Sequence, residues 1–153
     1  MSPKSGVRLP DAVLFACNLN RVRSPMACAL LRRLMGDRIF VDSCGLKTLE
    51  TGDGEAQVDP MALEVMREIG CDLSAHRPKT FDDLDDDSFD VVISLTPEAQ
   101  HRAVEMARGR AADIEYWPIM DPTLFEGSRE SRLQAFRDVR DALAARIAER
   151  FGP

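Results

Sequence analysis

Residues 12–17 read Ala-Val-Leu-Phe-Ala-Cys, an unbroken apolar run with no polar alternation. A strand with one wet face alternates; a strand covered on both faces does not. The run therefore predicts a central strand in a sheet packed on both sides. Asn-Leu-Asn-Arg-Val-Arg (18–23) follows as a polar turn. Ser24-Pro25 is expected to supply a helix N-cap and first helical residue. Ala27, Leu30, Leu31 and Leu34 then recur at helical spacing, and Gly36 stops the helix.

The same alternation continues along the chain. A second strand is predicted over 39–44, ending at Gly45, and a polar loop over 46–59. Asp59-Pro60 opens a helix with Met61, Leu63, Val65, Met66 and Ile69 as its apolar positions and Gly70 as its stop. Residues 89–95 read as a third buried strand, and Thr96-Pro97 caps a helix to about residue 108. A fourth strand is predicted over 113–117. A last helix spans about 128–150, with Leu133, Phe136, Val139, Leu143 and Ile147 on one face. The expected fold class is α/β: a three-layer sandwich, a four-stranded parallel sheet with helices on both faces. Ligands bind such sheets beyond the carboxyl ends of strands, where the turn after residue 17 lies.

The chain has 153 residues, 44% hydrophobic and 30% charged, as in soluble globular proteins. One domain over residues 1–153 is expected, with 1–11 as a flexible N-terminus. A net charge of −6 argues against nucleic-acid binding, which usually needs a basic face. No signal peptide or membrane span is visible, so a cytoplasmic protein without a membrane partner is expected. Cysteines at 17, 28, 44 and 71 form no CxxC and no Cys/His finger, and reduced thiols are the simpler reading. The acidic run 82–90 reads as a solvated turn region.

The chemistry concentrates in Cys17-Asn18-Leu19-Asn20-Arg21-Val22-Arg23-Ser24. Cys, five residues and Arg is a weak pattern by itself, because Cys71 and Arg77 repeat it without a buried strand before them. The first copy runs from a strand end to a helix N-terminus, where backbone amides can curl around an anion and the helix dipole adds positive potential. A thiol there is held as thiolate, its reactive form, by the dipole, Arg23 and the Ser24 hydroxyl. Arg23 offers a planar fork to two oxygens of an oxyanion. The octapeptide alone supports equally a phosphate-binding loop and a buried Cys beside a surface Arg.

The stretch VLFACNLNRVRSPMA resembles the signature of low-molecular-weight protein tyrosine phosphatases and the related thioredoxin-coupled arsenate reductases, Cys-x-x-Asn-x-x-Arg-Ser-Pro after a hydrophobic strand. The likeness continues in VDSCG (41–45), MREIGCDLSAHRP (66–78), FDVVISL (89–95) and Asp121-Pro122. It implies Cys17 as nucleophile, Arg23 as oxyanion clamp and Asp121 as general acid. It also implies phosphate held by residues 18–24 (Asn18, Leu19, Asn20, Arg21, Val22, Arg23 and Ser24), and loop support from Asn20, Ser24, Ser43 and His76. Asn20 is expected in a left-handed backbone position, which Asn tolerates. The implied activity is hydrolysis of phosphate monoesters through a phosphocysteine, phosphotyrosine among the candidate substrates. No metal or cofactor is implied. The ligands would be phosphate, sulfate or arsenate, with a phosphorylated protein as a candidate partner. Two alternatives stay open: an arsenate reductase using an external thiol partner, and a non-catalytic phosphate-binding module.

Several positions depart from the family pattern. Leu19 stands for the usual loop Gly, and Val22 for a second loop Cys. Thr123 and Leu124 follow Asp121-Pro122 in place of tyrosines, and Leu49 stands where an aromatic wall is common. The segment after the third strand, SLTPEAQHRAVE, lacks the cysteines of the reductase relay. Cys44 is either a buried inert thiol or a group able to resolve an oxidised Cys17. Trp117 is expected in the core and His101 on the surface.

Overall fold

The computed structural model describes residues 9–50, 54–85 and 88–153. Four strands, β1 (Ala12–Cys17), β2 (Phe40–Gly45), β3 (Val91–Ser94) and β4 (Asp113–Tyr116), form one parallel sheet in the order β2-β1-β3-β4. Helices α1 (Arg23–Met35), α2 (Pro60–Arg67), α3 (Pro97–Ala107) and α4 (Arg129–Phe151) alternate with them. The α/β sandwich read from the sequence is the fold observed.

Two apolar layers cover the sheet. Val13, Phe15 and Cys17 of β1 face a large core shared with α1, α2 and α4. Leu14 and Ala16 point the other way, onto Ala99 and Ala103 of α3. Every β1 residue from Val13 to Ala16 is fully buried, the condition that the unbroken apolar run demands. Burying a side chain such as Phe15 stabilises the fold by about 1.5–3 kcal/mol, and its ring meets Trp117 edge-on at 6.0 Å. Trp117 lies in the core as expected, and His101 is exposed.

Local signals set most boundaries. The Asp59 carboxylate accepts the Met61 amide ahead of α2, Thr96 accepts the Ala99 amide ahead of α3, and Ser128 accepts the Ser131 amide ahead of α4. Leu133, Phe136, Val139, Leu143 and Ile147 all turn inward on α4. The start of α1 corrects the sequence reading. The helix begins at Arg23, with Val22 at the N-cap position and no side-chain cap. Ser24 is already helical, and its hydroxyl serves the preceding loop.

The expected flexible stretch over 1–11 lies outside the described residues as far as residue 8. Residues 9–11 are held: Leu9 packs on the core, the Asp11 amide donates to Asp90, and the Asp11 carbonyl accepts from Phe40. Asp90 thereby fixes the start of β1, while Asp82 of the acidic run pairs with Arg102. Residues 86–87 of that run, and 51–53 of the loop before α2, lie outside the described residues. Among the described residues no helix is long and apolar enough to cross a membrane.

β1 connects onward to β2 on one side of the sheet, while its other neighbour, β3, connects onward to β4 on the opposite side. The crevice between the carboxyl ends of β1 and β3 is therefore the topological switch point of the sheet. Cys17 is the last residue of β1 and opens onto that crevice.

Candidate active site

The loop from Cys17 to Arg23 is held by buried polar contacts. Asn20 is fully buried with φ 55°, the one non-glycine residue in the left-handed region among the described residues. Its side-chain amide donates to Ser24 Oγ at 2.8 Å and to Ser43 Oγ at 3.0 Å, and its Oδ1 accepts from the Lys79 amide at 3.0 Å. The Asn20 carbonyl lies 2.9 Å from His76 Nε2. A carbonyl only accepts, so Nε2 carries the proton. Burial pushes His76 below the usual histidine range, against the opposing pull of the Asn20 carbonyl, and keeps the ring neutral. All four supports expected from the sequence (Asn20, Ser24, Ser43 and His76) therefore converge on the loop.

Ser24 passes this support to the thiol. Its Oγ already accepts from Asn20, so its proton is available to Cys17 Sγ at 2.9 Å; the Cys44 carbonyl is farther, at 3.4 Å. Asn18 ties the other limb down. Its carbonyl accepts from Leu46 and Lys47, and its Oδ1 accepts from Thr96 Oγ1 at 2.7 Å. Gly45 lies directly beneath. A Cβ there would stand 2.9 Å from Asn18 O, Asn20 N and Leu19 C, so glycine is required for close backbone approach.

Arg23 and Asp121 meet across the opening. Arg23 Nη1 donates to the Ile119 carbonyl at 2.9 Å, which docks the guanidinium on the connection after β4. Its Nη2 lies 3.7 Å from Asp121 Oδ2. Asp121 Oδ1 is engaged by the Thr123 amide at 2.9 Å and the Thr123 hydroxyl at 2.7 Å, so Oδ2 is the oxygen turned toward Arg23. Thr123, unremarkable as a tyrosine replacement in the sequence, thus orients this carboxylate.

Cys17, Asn18, Leu19, Arg21, Val22, Arg23 and Asp121 line one cleft of about 350 Å³, joined by Lys47, Leu49 and Asp59 from the β2–α2 connection. Asn20 and Ser24 of the expected phosphate-binding set do not line it; they brace it from behind. Leu49, Leu19 and Val22 give it aliphatic walls. Lys47 and Asp59 were not identified from the sequence, nor were Gly45, Lys79 and the Thr96–Asn18 contact. Thr96 was legible only as a helix cap.

The other thiols lie elsewhere. Cys17 pairs in register with Gly45, so Cys44, one residue earlier, projects to the opposite face among Leu14, Ala16 and Val92. Burial pushes its pKa far up, helped by the negative charge of Cys17. The inert reading of Cys44 is the one this geometry supports. Burial likewise pushes Cys28 up to about 11. Arg77 folds back onto the Ser74 and His76 carbonyls, and its spacing from Cys71 makes no second loop. Among the described residues no group of three or more His, Cys, Asp or Glu could hold a metal ion.

Known proteins share this arrangement of chain. The family model described as low molecular weight phosphotyrosine protein phosphatase matches residues 12–151. A glutaredoxin arsenate reductase from Synechocystis sp. is 31% identical over 135 residues, covering 88% of this chain and 92% of that protein. Among solved structures, an arsenate reductase in the phosphate binding state superposes with a TM-score of 0.69 at 29% identity, over 90% of this chain and 93% of its own. An arginine phosphatase from Geobacillus stearothermophilus superposes with a TM-score of 0.72 at 26% identity, over 92% and 90%. With β1 through α4 inside one continuous family match, the chain belongs to the low molecular weight phosphotyrosine protein phosphatase family.

Proposed function

We propose that this chain is a cysteine-dependent phosphatase that hydrolyses phosphate monoesters. The observation that carries the reading is one cleft in which a thiol 2.9 Å from a serine hydroxyl faces an Arg23–Asp121 pair at 3.7 Å. Cys17 thiolate attacks phosphorus, and the ester P–O bond breaks. Asp121 Oδ2 gives its proton to the departing oxygen. Arg23 and the loop backbone hold the non-bridging oxygens, so most of the rate enhancement comes from positioning and charge stabilisation. Water then attacks the phosphocysteine, Asp121 takes its proton, and the S–P bond breaks to restore the thiolate and release phosphate. A relative solved in its phosphate binding state supports an oxyanion as ligand.

The test is hydrolysis of p-nitrophenyl phosphate between pH 5 and 8. Cys17→Ser is expected to abolish turnover. Asp121→Asn is expected to lower kcat by roughly 10²–10⁴-fold, the usual contribution of a positioned acid. An inactive wild-type protein would overturn the phosphatase reading.

A second reading, arsenate reduction, is favoured by the reductase relative from Synechocystis sp.. Among the described residues no second thiol lines the cleft, so the two electrons would have to come from an external thiol partner. Arsenate-dependent oxidation of glutathione or glutaredoxin, lost in Cys17→Ser, separates this reading from the first.

A further inference from the structure

Once the Arg23–Asp121 pair is set aside, the described residues lining the cleft still hold two cations, Arg21 and Lys47, against one carboxylate, Asp59. A positive charge is therefore left over at this place, in a chain whose net charge is −6. The phosphoryl group does not account for it, because the loop backbone and Arg23 already serve its oxygens. A cleft with an excess of one sign of charge concentrates ligands of the other sign.

The three groups are held differently. Arg21 Nε donates to the Gln57 carbonyl at 2.7 Å, and Asp59 Oδ1 accepts the Met61 amide at 2.8 Å as the cap of α2. The Lys47 amide donates to the Asn18 carbonyl at 3.2 Å, which pins the root of its side chain to the loop. Its ammonium, on a flexible four-carbon stem, makes no hydrogen bond or ion pair among the described residues. Exposure rises from Cys17 and Val22, which are buried, to Leu49 and Lys47, which are exposed, so the last two stand at the rim.

This order follows a substrate outward. The phosphoryl oxygens lie at the loop and Arg23, and the leaving oxygen at Asp121. The carbon body attached to that oxygen crosses the aliphatic walls and meets an ammonium at the rim. Resting on the phosphatase reading, we propose that Lys47, supported by Arg21, is a specificity-determining residue that binds a carboxylate on the leaving group, and that the substrates are phosphate monoesters of small hydroxy acids. The same charge disfavours a leaving group that carries an ammonium.

The test measures kcat/KM for phenyl phosphates that carry a carboxylate, a carboxamide or an aminomethyl group meta to the ester oxygen. Wild type is compared with Lys47→Gln, Lys47→Glu and Lys47→Arg. The readout is the ratio of the carboxylate ester to the carboxamide ester, because the intrinsic reactivity of each leaving group cancels between variants. That ratio is expected to fall about fivefold in Lys47→Gln, about 1 kcal/mol at 1.36 kcal/mol per factor of ten, the scale of an exposed ion pair. It is expected to fall further in Lys47→Glu, with the aminomethyl ester gaining, and to be kept in Lys47→Arg. The wild-type ratio is expected to shrink in ~1 M salt, where charges are screened beyond about 3 Å. The same ratio in wild type and Lys47→Glu overturns the proposal. So does an equal loss for all the esters, which would make Lys47 a holder of the phosphoryl group itself. Calorimetric binding of the esters to Cys17→Ser protein, alone and combined with Lys47→Glu, separates the proposal from the reading on which it rests. A binding ratio that depends on Lys47, without any turnover by wild type, keeps the carboxylate site and removes the phosphatase. Turnover by wild type with a binding ratio indifferent to Lys47 removes the site and keeps the phosphatase. If Lys47→Glu instead slows only arsenate-dependent oxidation of glutathione, the charge serves the carboxylates of that thiol and the assignment fails.

Discussion

Asn20 concentrates much of the loop's geometry in one side chain. It supplies a left-handed φ, two donated bonds and one accepted bond, all with no exposure to water. Asn20→Ala leaves the Ser24 and Ser43 hydroxyls and the Lys79 amide without that partner, and a buried polar group left unsatisfied costs about 1–3 kcal/mol. The expected result is a lower urea midpoint together with a fall in kcat, since Ser24 would no longer be oriented toward Cys17. Gly45 acts through the space it leaves empty. Gly45→Ala places a methyl group 2.9 Å from three backbone atoms of the loop. Backbone cannot swing aside as a side chain does, so overpacking of about 1–3 kcal/mol is expected. Thermal unfolding and phosphate binding should both report it; a variant with wild-type affinity would show that the loop tolerates the displacement.

At the level of elements, Thr96 joins two roles that a sequence shows separately. As N-cap it satisfies the Ala99 amide of α3, and its own proton goes to Asn18 Oδ1. The helix on one face of the sheet is thereby coupled to the loop at the end of β1. Thr96→Val keeps the shape and removes both contacts, at a cost of about 0.5–2 kcal/mol from the cap alone. The fall in stability is expected to be accompanied by weaker phosphate binding, and Thr96→Ser to restore both. A stability loss with unchanged phosphate affinity would confine Thr96 to capping. On the other face, α2 and α4 are clamped by Glu68, which accepts from Arg137 Nε and Nη2 and from Arg140 Nη1. Arg140 also donates to the Val65 carbonyl, tying the end of α2 to the middle of α4.

For the whole molecule, these contacts set the response to acid. His76 is held neutral in the fold, mainly by burial, so its pKa lies below the ordinary 6.5. As pH falls through 6.5 the unfolded chain takes up a proton that the folded chain refuses, and stability drops until the folded ring also protonates. Urea midpoints are therefore expected to decline from pH 7 toward pH 5, with His76→Gln flattening the decline. An equally steep decline in that variant would place the linkage elsewhere. Glu68 acts at lower pH. The Arg137 and Arg140 contacts hold it below the usual carboxylate range, so its contribution persists above about 4.5 and is lost only as pH falls further. Its exposure to solvent keeps that contribution small.

What the sequence determined by itself was the order and type of elements and most of the helix caps. These depend on preferences that act over a few residues: unbroken apolar runs for doubly covered strands, 3.6-residue spacing for amphipathic helices, and an oxygen-bearing side chain as the cap of α2, α3 and α4. The start of α1 was misjudged because Ser24 carries a cap signal while its hydroxyl is bound to Cys17, seven positions away. Contacts between distant residues were decided by the tertiary structure alone. Asn20 meets Ser43, His76 and Lys79 at separations of 23, 56 and 59 residues, and Arg23 reaches the Ile119 carbonyl 96 residues on. Cys17 and Cys44 are neighbours in the sheet yet point to opposite faces, because strand register is offset by one residue and side chains alternate with period two. Local sequence specifies what each segment prefers to be; only the packed sheet brings the ends of those segments together and decides which side chains share the cleft.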